Sequence, residues 1–226
     1  AAAAKDGIGM HGVAYGANVA NGRGLNAAGS GYFSDLGSSI NYLALLGARV
    51  VNNSWQTSTS ITSSSVNTWN NTRQSFMTSL NSALEEDSLI VFAAGNFSRS
   101  EVSSVSGLPY LFPEMEAKWL TVVSSTSSNI LSSFSNSCGV ASDFCLTAPG
   151  SSIKSVKNTG GYSIKSGTSM AAPMVSGVAA LVMEAFPYMT VEQIRTIMLT
   201  TAIDLGDPGV DSVYGWGLIN AAGAVG

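Results

Sequence analysis

Charged residues are scarce in this sequence, where they make up 11% of the 226 residues. Fourteen aspartates and glutamates outnumber ten lysines and arginines, which gives a formal net charge of −4. This charge, together with a hydrophobic fraction of 45%, excludes a disordered tail and a basic binder of nucleic acid. Because a chain of this length can bury a sizeable core, we expect one large globular domain over residues 1–226.

Long apolar runs are also lacking. The longest, residues 171–183, contains Ser176 and Gly177 and falls short of the roughly 18 residues that cross a bilayer. Residues 1–5 carry no basic leader followed by an apolar segment and a cleavage site. We therefore expect neither a transmembrane segment nor a signal peptide within these residues.

Cysteine and histidine are rare, with only Cys138, Cys145 and His11 present. The six residues between the cysteines include Gly139 and Asp143, so a short loop could return on itself, and we favour a disulfide. Two buried free thiols in a reducing compartment remain the alternative, because sulfur geometry is not visible in a sequence. A zinc site is disfavoured, since zinc usually needs four ligands and His11 is distant from both cysteines in sequence.

Serine, by contrast, is abundant and clusters at residues 58–65, 98–106 and 124–137. Because lysines and glutamates are few, we expect hydroxyl and amide groups to form much of the polar surface. We interpret residues 58–65 and 98–106 as surface loops. A surface of this kind suits an extracellular protein.

Short apolar runs alternate with amphipathic stretches, a pattern typical of an α/β domain with a mostly parallel sheet. Buried strands are predicted at residues 50–51, 89–92 and 120–124. Helices are predicted at residues 32–46, 66–85 and 170–186. A capping box formed by Thr190 and Gln193 predicts a last helix that ends near Thr200.

The segment G-T-S-M-A-A-P at residues 167–173 stands immediately before the longest apolar helix. It puts Ser169 at a helix start, where unpaired backbone N–H groups and the helix dipole favour the negative charge of a tetrahedral oxyanion. The alternative is structural: Ser169 caps the helix, Gly167 makes a turn, and Pro173 occupies the first turn, where proline is tolerated.

A second segment, V-F-A-A-G-N at residues 91–96, is typical of a buried strand that runs into a turn of small residues. The turn ends in Asn96, whose amide could donate to an oxyanion. For any single Gly-Asn pair, an asparagine that satisfies its own turn is the common case.

Together the two segments resemble the subtilisin-like serine peptidases, whose nucleophile lies in a G-T-S-M-A-x-P motif and whose oxyanion asparagine follows an A-A-G-N turn. Further matches at residues 12–19, 50–54 and 148–150 extend the resemblance over nearly the whole chain. The resemblance implies an α/β fold of three layers, with helices on both faces of a mostly parallel twisted sheet. Residues 1–226 would be the C-terminal portion of a single peptidase domain, without its first strands.

The sequence departs from this family where the catalytic acid and base are expected. In the family, an aspartate-bearing strand and an H-G-T-H helix precede the G-V-A segment that matches residues 12–14, and neither is present. His11 stands just before the expected strand at residues 13–14, so we interpret it as a structural or exposed histidine. We expect the aspartate and histidine to come from an N-terminal part of the same peptidase, as a second polypeptide or as residues outside this sequence.

The resemblance implies a serine endopeptidase in which Ser169 attacks the peptide carbonyl. Asn96 and the backbone N–H of Ser169 would stabilise the oxyanion, and no cofactor is needed.

No metal site is assigned, because clustered acidic loops that could bind calcium are not evident. A catalytically inactive binding or scaffold domain is the alternative, since two triad members are missing. An α/β-hydrolase fits poorly, because no G-x-S-x-G motif surrounds a serine.

By the same resemblance, polypeptide substrates would pair with an edge strand formed by Ser54, Trp55 and Gln56. One wall of the pocket for the side chain before the scissile bond would be lined by Ala93, Ala94 and Gly95. Because these walls are small and uncharged, we expect cleavage after bulky apolar residues. Trp55 would narrow a more distant subsite.

Finer details resemble the autotransporter branch of the family, the secreted passenger enzymes of Gram-negative bacteria. The matching segments are residues 138–146, 183–188 and 213–217. This resemblance implies a secreted or surface-exposed protein of a Gram-negative bacterium, in agreement with a disulfide and a hydroxyl-rich surface.

Overall fold

The computed structural model describes residues 1–7, 9–157 and 159–226. Its main sheet has four parallel strands in sequence order: β1 (Val50–Asn53), β2 (Leu89–Ala93), β3 (Trp119–Ser125) and β4 (Cys145–Pro149). A separate antiparallel hairpin consists of β5 (Ile153–Val156) and β6 (Tyr162–Lys165). The parallel strands confirm the predicted sheet, and they bring their carboxyl ends to one edge.

The side chains of β2 alternate between two apolar cores. Ile90 and Phe92 pack in one core, whereas Leu89, Val91 and Ala93 pack in the other. Successive side chains of a strand point to opposite faces, so an unbroken apolar run fits a strand that is covered on both sides.

Helices cover both faces of the sheet. The first face carries α1 (Phe33–Leu45), α2 (Val66–Thr72) and α3 (Gln74–Glu85). The second carries α4 (Thr168–Ala185), α5 (Val191–Thr200) and α6 (Ala221–Val225). This arrangement confirms the predicted three-layer α/β fold, and the capping box of Thr190 and Gln193 at the start of α5 is also confirmed.

Some predicted element boundaries are wrong. The single helix expected at residues 66–85 is two helices, because the backbone leaves the helical region at Arg73. There the Arg73 guanidinium lies 4.3 Å from the Phe33 ring centroid and 4.4 Å from that of Trp69. The helix α5 is not the last, since Asn220 accepts a hydrogen bond from the Gly223 N–H and caps α6.

The predicted strand at residues 13–14 is not formed, and in the described part of the chain no strand precedes Val50. The N–H groups of Gly12 and Ala14 donate to the carbonyls of Ala3 and Ala1. Val13 instead packs on α4, where a Cβ on Gly177 would lie 2.8 Å from the Val13 Cβ. Val13 is thereby partly buried against the core on the α4 side of the sheet.

The interpretation of residues 98–106 as a surface loop is wrong for much of that segment, and part of the serine cluster at residues 124–137 is also buried. Seven serines there are at most 3% exposed: Ser103, Ser104, Ser106, Ser124, Ser125, Ser132 and Ser135. They can be buried because most of their hydroxyls bond to one another or to backbone, as in the pairs Ser103–Ser106 and Ser124–Ser132.

In the described residues, one helix, α4, is long and apolar enough for a membrane span by length and composition, with a mean hydropathy of 1.3. The sequence analysis predicted no such segment, because Ser176 and Gly177 interrupt the apolar run. These two residues lower the mean hydropathy of the helix only slightly. More than half of this helix is buried, and it packs against all four strands of the main sheet. These contacts are those of a core helix.

Cys138 and Cys145 form a disulfide, which confirms the preferred pairing. It joins the 3₁₀ segment Gly139–Phe144 to the start of β4. In the chain-entropy model, cross-linking two residues separated by seven positions stabilises the fold by about 2.5 kcal/mol.

We expect the double variant Cys138→Ala, Cys145→Ala to lose about this much unfolding free energy in urea titrations. Reductant should shift the wild-type midpoint and leave that of the variant unchanged, and an unaltered wild-type midpoint would contradict the prediction.

Candidate active site

Ser169 is the second residue of α4, in agreement with its predicted place at a helix start. Its hydroxyl donates to the Ser54 carbonyl at 3.2 Å, and the Ser54 hydroxyl donates to the Ser169 carbonyl at 3.0 Å. This pair of hydrogen bonds ties the segment after β1 to the first turn of α4. The half-buried side chain of Ser169 therefore lies at the carboxyl edge of the sheet.

Pro173 lies in the second turn of α4, not in the first turn that the structural alternative assumed. A proline has no N–H to donate to the carbonyl four residues earlier, which here belongs to Ser169. The Ser54 hydroxyl supplies the missing donor to that carbonyl. The helix thus tolerates a proline in its second turn, because Ser54 provides a donor for the Ser169 carbonyl.

Asn96 follows β2 and contacts the start of α4. Its Oδ1 accepts hydrogen bonds from the Thr168 N–H at 2.8 Å and from the Thr168 hydroxyl at 2.9 Å. Its Nδ2 lies 3.7 Å from the position of a Cβ on Gly167, and no hydrogen bond occupies it in the described part of the chain. Because the carbonyl side of the amide is held by Thr168, the NH₂ group stays available as a donor near the start of α4.

Sequence reasoning did not assign a role to Thr168, although it belongs to the predicted motif. Its side chain is fully buried, and besides donating to Asn96 its hydroxyl accepts from the Gly95 N–H at 3.3 Å. This hydroxyl therefore bridges the turn after β2 and the start of α4.

Sequence reasoning also missed Asn136, which is fully buried and holds the turn at residues 94–99. Its Oδ1 accepts from the N–H groups of Phe97 and Arg99, and its Nδ2 donates to the Ala94 carbonyl. Its backbone N–H donates to the Gly95 carbonyl at 2.9 Å. At Gly95, with φ +116°, a Cβ would lie 2.5 Å from the Asn136 Nδ2, so this turn requires glycine.

The segment after β1 supplies two more side chains at the site. Gln56 Oε1 accepts a hydrogen bond from the Asn96 N–H at 2.7 Å. The Trp55 ring packs edge-on against Phe33, Phe76 and Phe92, with centroids 5.1–6.3 Å apart. The aromatic cluster fixes the segment, so Ser54 and Gln56 have defined positions.

A cavity of about 510 Å³ opens beside these residues. Among the residues that line it are Ser54, Trp55, Gln56, Asn96 and Ser169, and its other side comes from residues 25–36. The predicted wall residues Ala93, Ala94 and Gly95 do not line this cavity and are buried next to it. The substrate-binding roles of both sets stay predictions.

His11 is exposed and lies outside this cavity. Its Nδ1 is 3.0 Å from the Gly12 carbonyl oxygen, and its ring meets the edge of the Tyr15 ring at 5.7 Å. In the described residues, no group of three or more histidine, cysteine, aspartate or glutamate side chains could hold a metal ion.

This chain is similar to bacterial serine proteases and autotransporters. An extracellular serine protease of Serratia marcescens is 35% identical over an alignment of 286 positions, which covers all of this chain and 27% of that protein. The Neisserial autotransporter lipoprotein NalP of Neisseria meningitidis serogroup B is 33% identical over 61% of this chain and 14% of its own length. The chain thus spans about a quarter or less of the length of these two relatives. The similarity to NalP confirms the predicted resemblance to the autotransporter branch.

In other matches the aligned part is a larger share of the relative's own length. Subtilisin NAT of Bacillus subtilis subsp. natto is 33% identical over 99% of this chain and 53% of its own length. Among solved structures, patellamide maturation protease PatA is 26% identical, covers 86% of this chain and 68% of its own, and superposes with a TM-score of 0.70. The Peptidase_S8 family model, described as the subtilase family, matches residues 1–217. This chain belongs to the subtilase family.

Proposed function

We propose that this chain carries the nucleophile and the oxyanion hole of a serine endopeptidase. The single observation that carries the proposal is that Ser169, in the first turn of α4, and Asn96, bonded to Thr168 in the same turn, line one cavity. Family membership supports the same role for both residues. The Thr168 contacts to Asn96 Oδ1 support it further, because they leave the Asn96 NH₂ group to donate.

In this proposal Ser169 Oγ attacks the carbonyl carbon of the scissile peptide bond, and a histidine takes its proton. The negative oxygen of the tetrahedral intermediate accepts hydrogen bonds from Asn96 Nδ2 and from the Ser169 N–H. The histidine then protonates the leaving amine, and a water molecule hydrolyses the acyl-enzyme by the same steps in reverse order.

We propose that the histidine and its aspartate come from an N-terminal part of the same peptidase. The edge of β1 that does not pair with β2 borders a cavity of about 520 Å³, lined by residues 17–22 and by α4. Strands added there in parallel would end at the same edge of the sheet as β1. Side chains at those ends would approach Ser169.

The substrates in this proposal are polypeptides that lie extended along Ser54, Trp55 and Gln56. A secreted or cell-surface location in a Gram-negative bacterium is proposed from the relatives, which include an extracellular protease and an autotransporter. The proposal needs no nucleic acid and no cofactor.

A second candidate is a peptidase-like binding or scaffold domain without catalysis. One observation favours it: the Ser169 hydroxyl donates to a backbone carbonyl, and the sole histidine of the sequence is bonded elsewhere. The two candidates differ in whether Ser169 becomes nucleophilic in the complete protein.

Labelling with a fluorophosphonate probe distinguishes them. We expect the complete protein that contains this chain to react at Ser169, as identified by mass spectrometry of the labelled peptide. Ser176→Ala is the matched control on the same helix and should label normally, whereas Ser169→Ala should not label. A folded complete protein that leaves Ser169 unlabelled would reject the peptidase proposal in favour of the binding domain.

A further inference from the structure

The Gln56 side chain reaches from the segment after β1 to the turn after β2. Its Oε1 accepts from the Asn96 N–H at 2.7 Å and lies 3.4 Å from the position of a Cβ on Gly95. The carboxamide therefore bridges the two segments between which a substrate side chain would enter.

The small apolar wall behind this bridge is covered. Ala93 and Ala94 are 1% and 0% exposed, and neither lines the cavity beside Ser169. Gln56 and Asn96 do line it. A side chain that enters this cavity can therefore contact Gln56 and Asn96, whereas neither alanine is exposed to it.

The bridge is held from both ends. If Gln56 swung out, the Asn96 N–H would lose the only acceptor it has in the described part of the chain, and an unsatisfied donor in a half-buried turn is unfavourable. The turn itself cannot retreat, because Asn136 holds it on one side and Thr168 on the other.

We propose that Gln56 determines specificity by closing the pocket for the side chain before the scissile bond. The closed pocket is shallow and polar, so it accepts glycine, alanine or serine and rejects leucine, phenylalanine or tyrosine. This inference rests on the proposed peptidase function, and it replaces the expectation of cleavage after bulky apolar residues.

The test measures kcat/KM of the complete protein on peptides that differ only at the residue before the scissile bond. For the wild type, we expect alanine to exceed phenylalanine by at least about tenfold, a difference of about 1.4 kcal/mol. Gln56→Ala removes the bridge and should reverse this preference. Gln56→Glu keeps the length and the acceptor oxygen, so it should still reject phenylalanine. A wild type that prefers phenylalanine, with Gln56→Ala unchanged in preference, would overturn the inference.

The same assay separates failure of this inference from failure of the proposed function. If Ser169→Ala retains full hydrolysis of the peptides, the peptidase proposal fails and the inference fails with it. If hydrolysis requires Ser169 but bulky apolar residues are preferred in the wild type, only the inference about Gln56 fails. The wild-type preference is decisive even if Gln56→Ala does not fold.

Discussion

Replacing Ser169 with alanine is expected to lower peptide hydrolysis by the complete protein by about 10⁴-fold or more. The hydroxyl is the atom that would form the acyl bond, and without it only the oxyanion donors and substrate binding remain. The fold should persist, because the lost hydrogen bond to the Ser54 carbonyl is worth about 1 kcal/mol. Activity and melting temperature measured on the same preparation test both statements.

Ser176→Ala on the same helix is the matched control. The Ser176 hydroxyl contacts the Ala172 carbonyl and the Asn52 side chain, outside the proposed catalytic machinery. Its loss should cost about 1 kcal/mol of stability and leave hydrolysis close to wild type. An active Ser169→Ala protein with lowered stability would mean that Ser169 only supports the helix start.

Asn96→Ala is expected to lower kcat by about 10²- to 10³-fold, equivalent to about 2.7–4 kcal/mol of transition-state stabilisation. KM should change little, because the negative charge on the oxygen develops only as the transition state is approached. Steady-state kinetics on a single peptide measure both constants.

The structural contacts of Asn96 call for a second variant. Its Oδ1 accepts two hydrogen bonds from Thr168, so alanine at this position also loosens the start of α4. Asn96→Asp keeps an acceptor for Thr168 but puts a carboxylate where the NH₂ donor was. We expect wild-type melting temperature with kcat at least as low as that of Asn96→Ala. Near-wild-type kcat in Asn96→Asp would exclude an oxyanion role.

Local sequence was enough to predict the parts of the fold that short-range physics controls. The apolar run before Asn96 predicted β2 because a doubly covered strand has no polar face. The motif at residues 167–173 predicted the start of α4, and the capping box predicted that of α5. In each case the decisive residues lie within one helical turn or one strand of each other, so their spacing alone is informative.

Contacts between distant segments decided the rest. Asn136 lies 40 positions after Asn96 in a serine-rich segment, and only the folded chain brings its amide to the turn at residues 94–99. Gln56 was predicted only as part of an edge strand for substrate, and only the folded chain brings its side chain to the Asn96 N–H. The serines of residues 98–106 were predicted to lie in a surface loop because composition does not reveal which hydroxyls find partners. Such partnerships depend on where whole elements pack, and the sequence pattern within one element does not encode that.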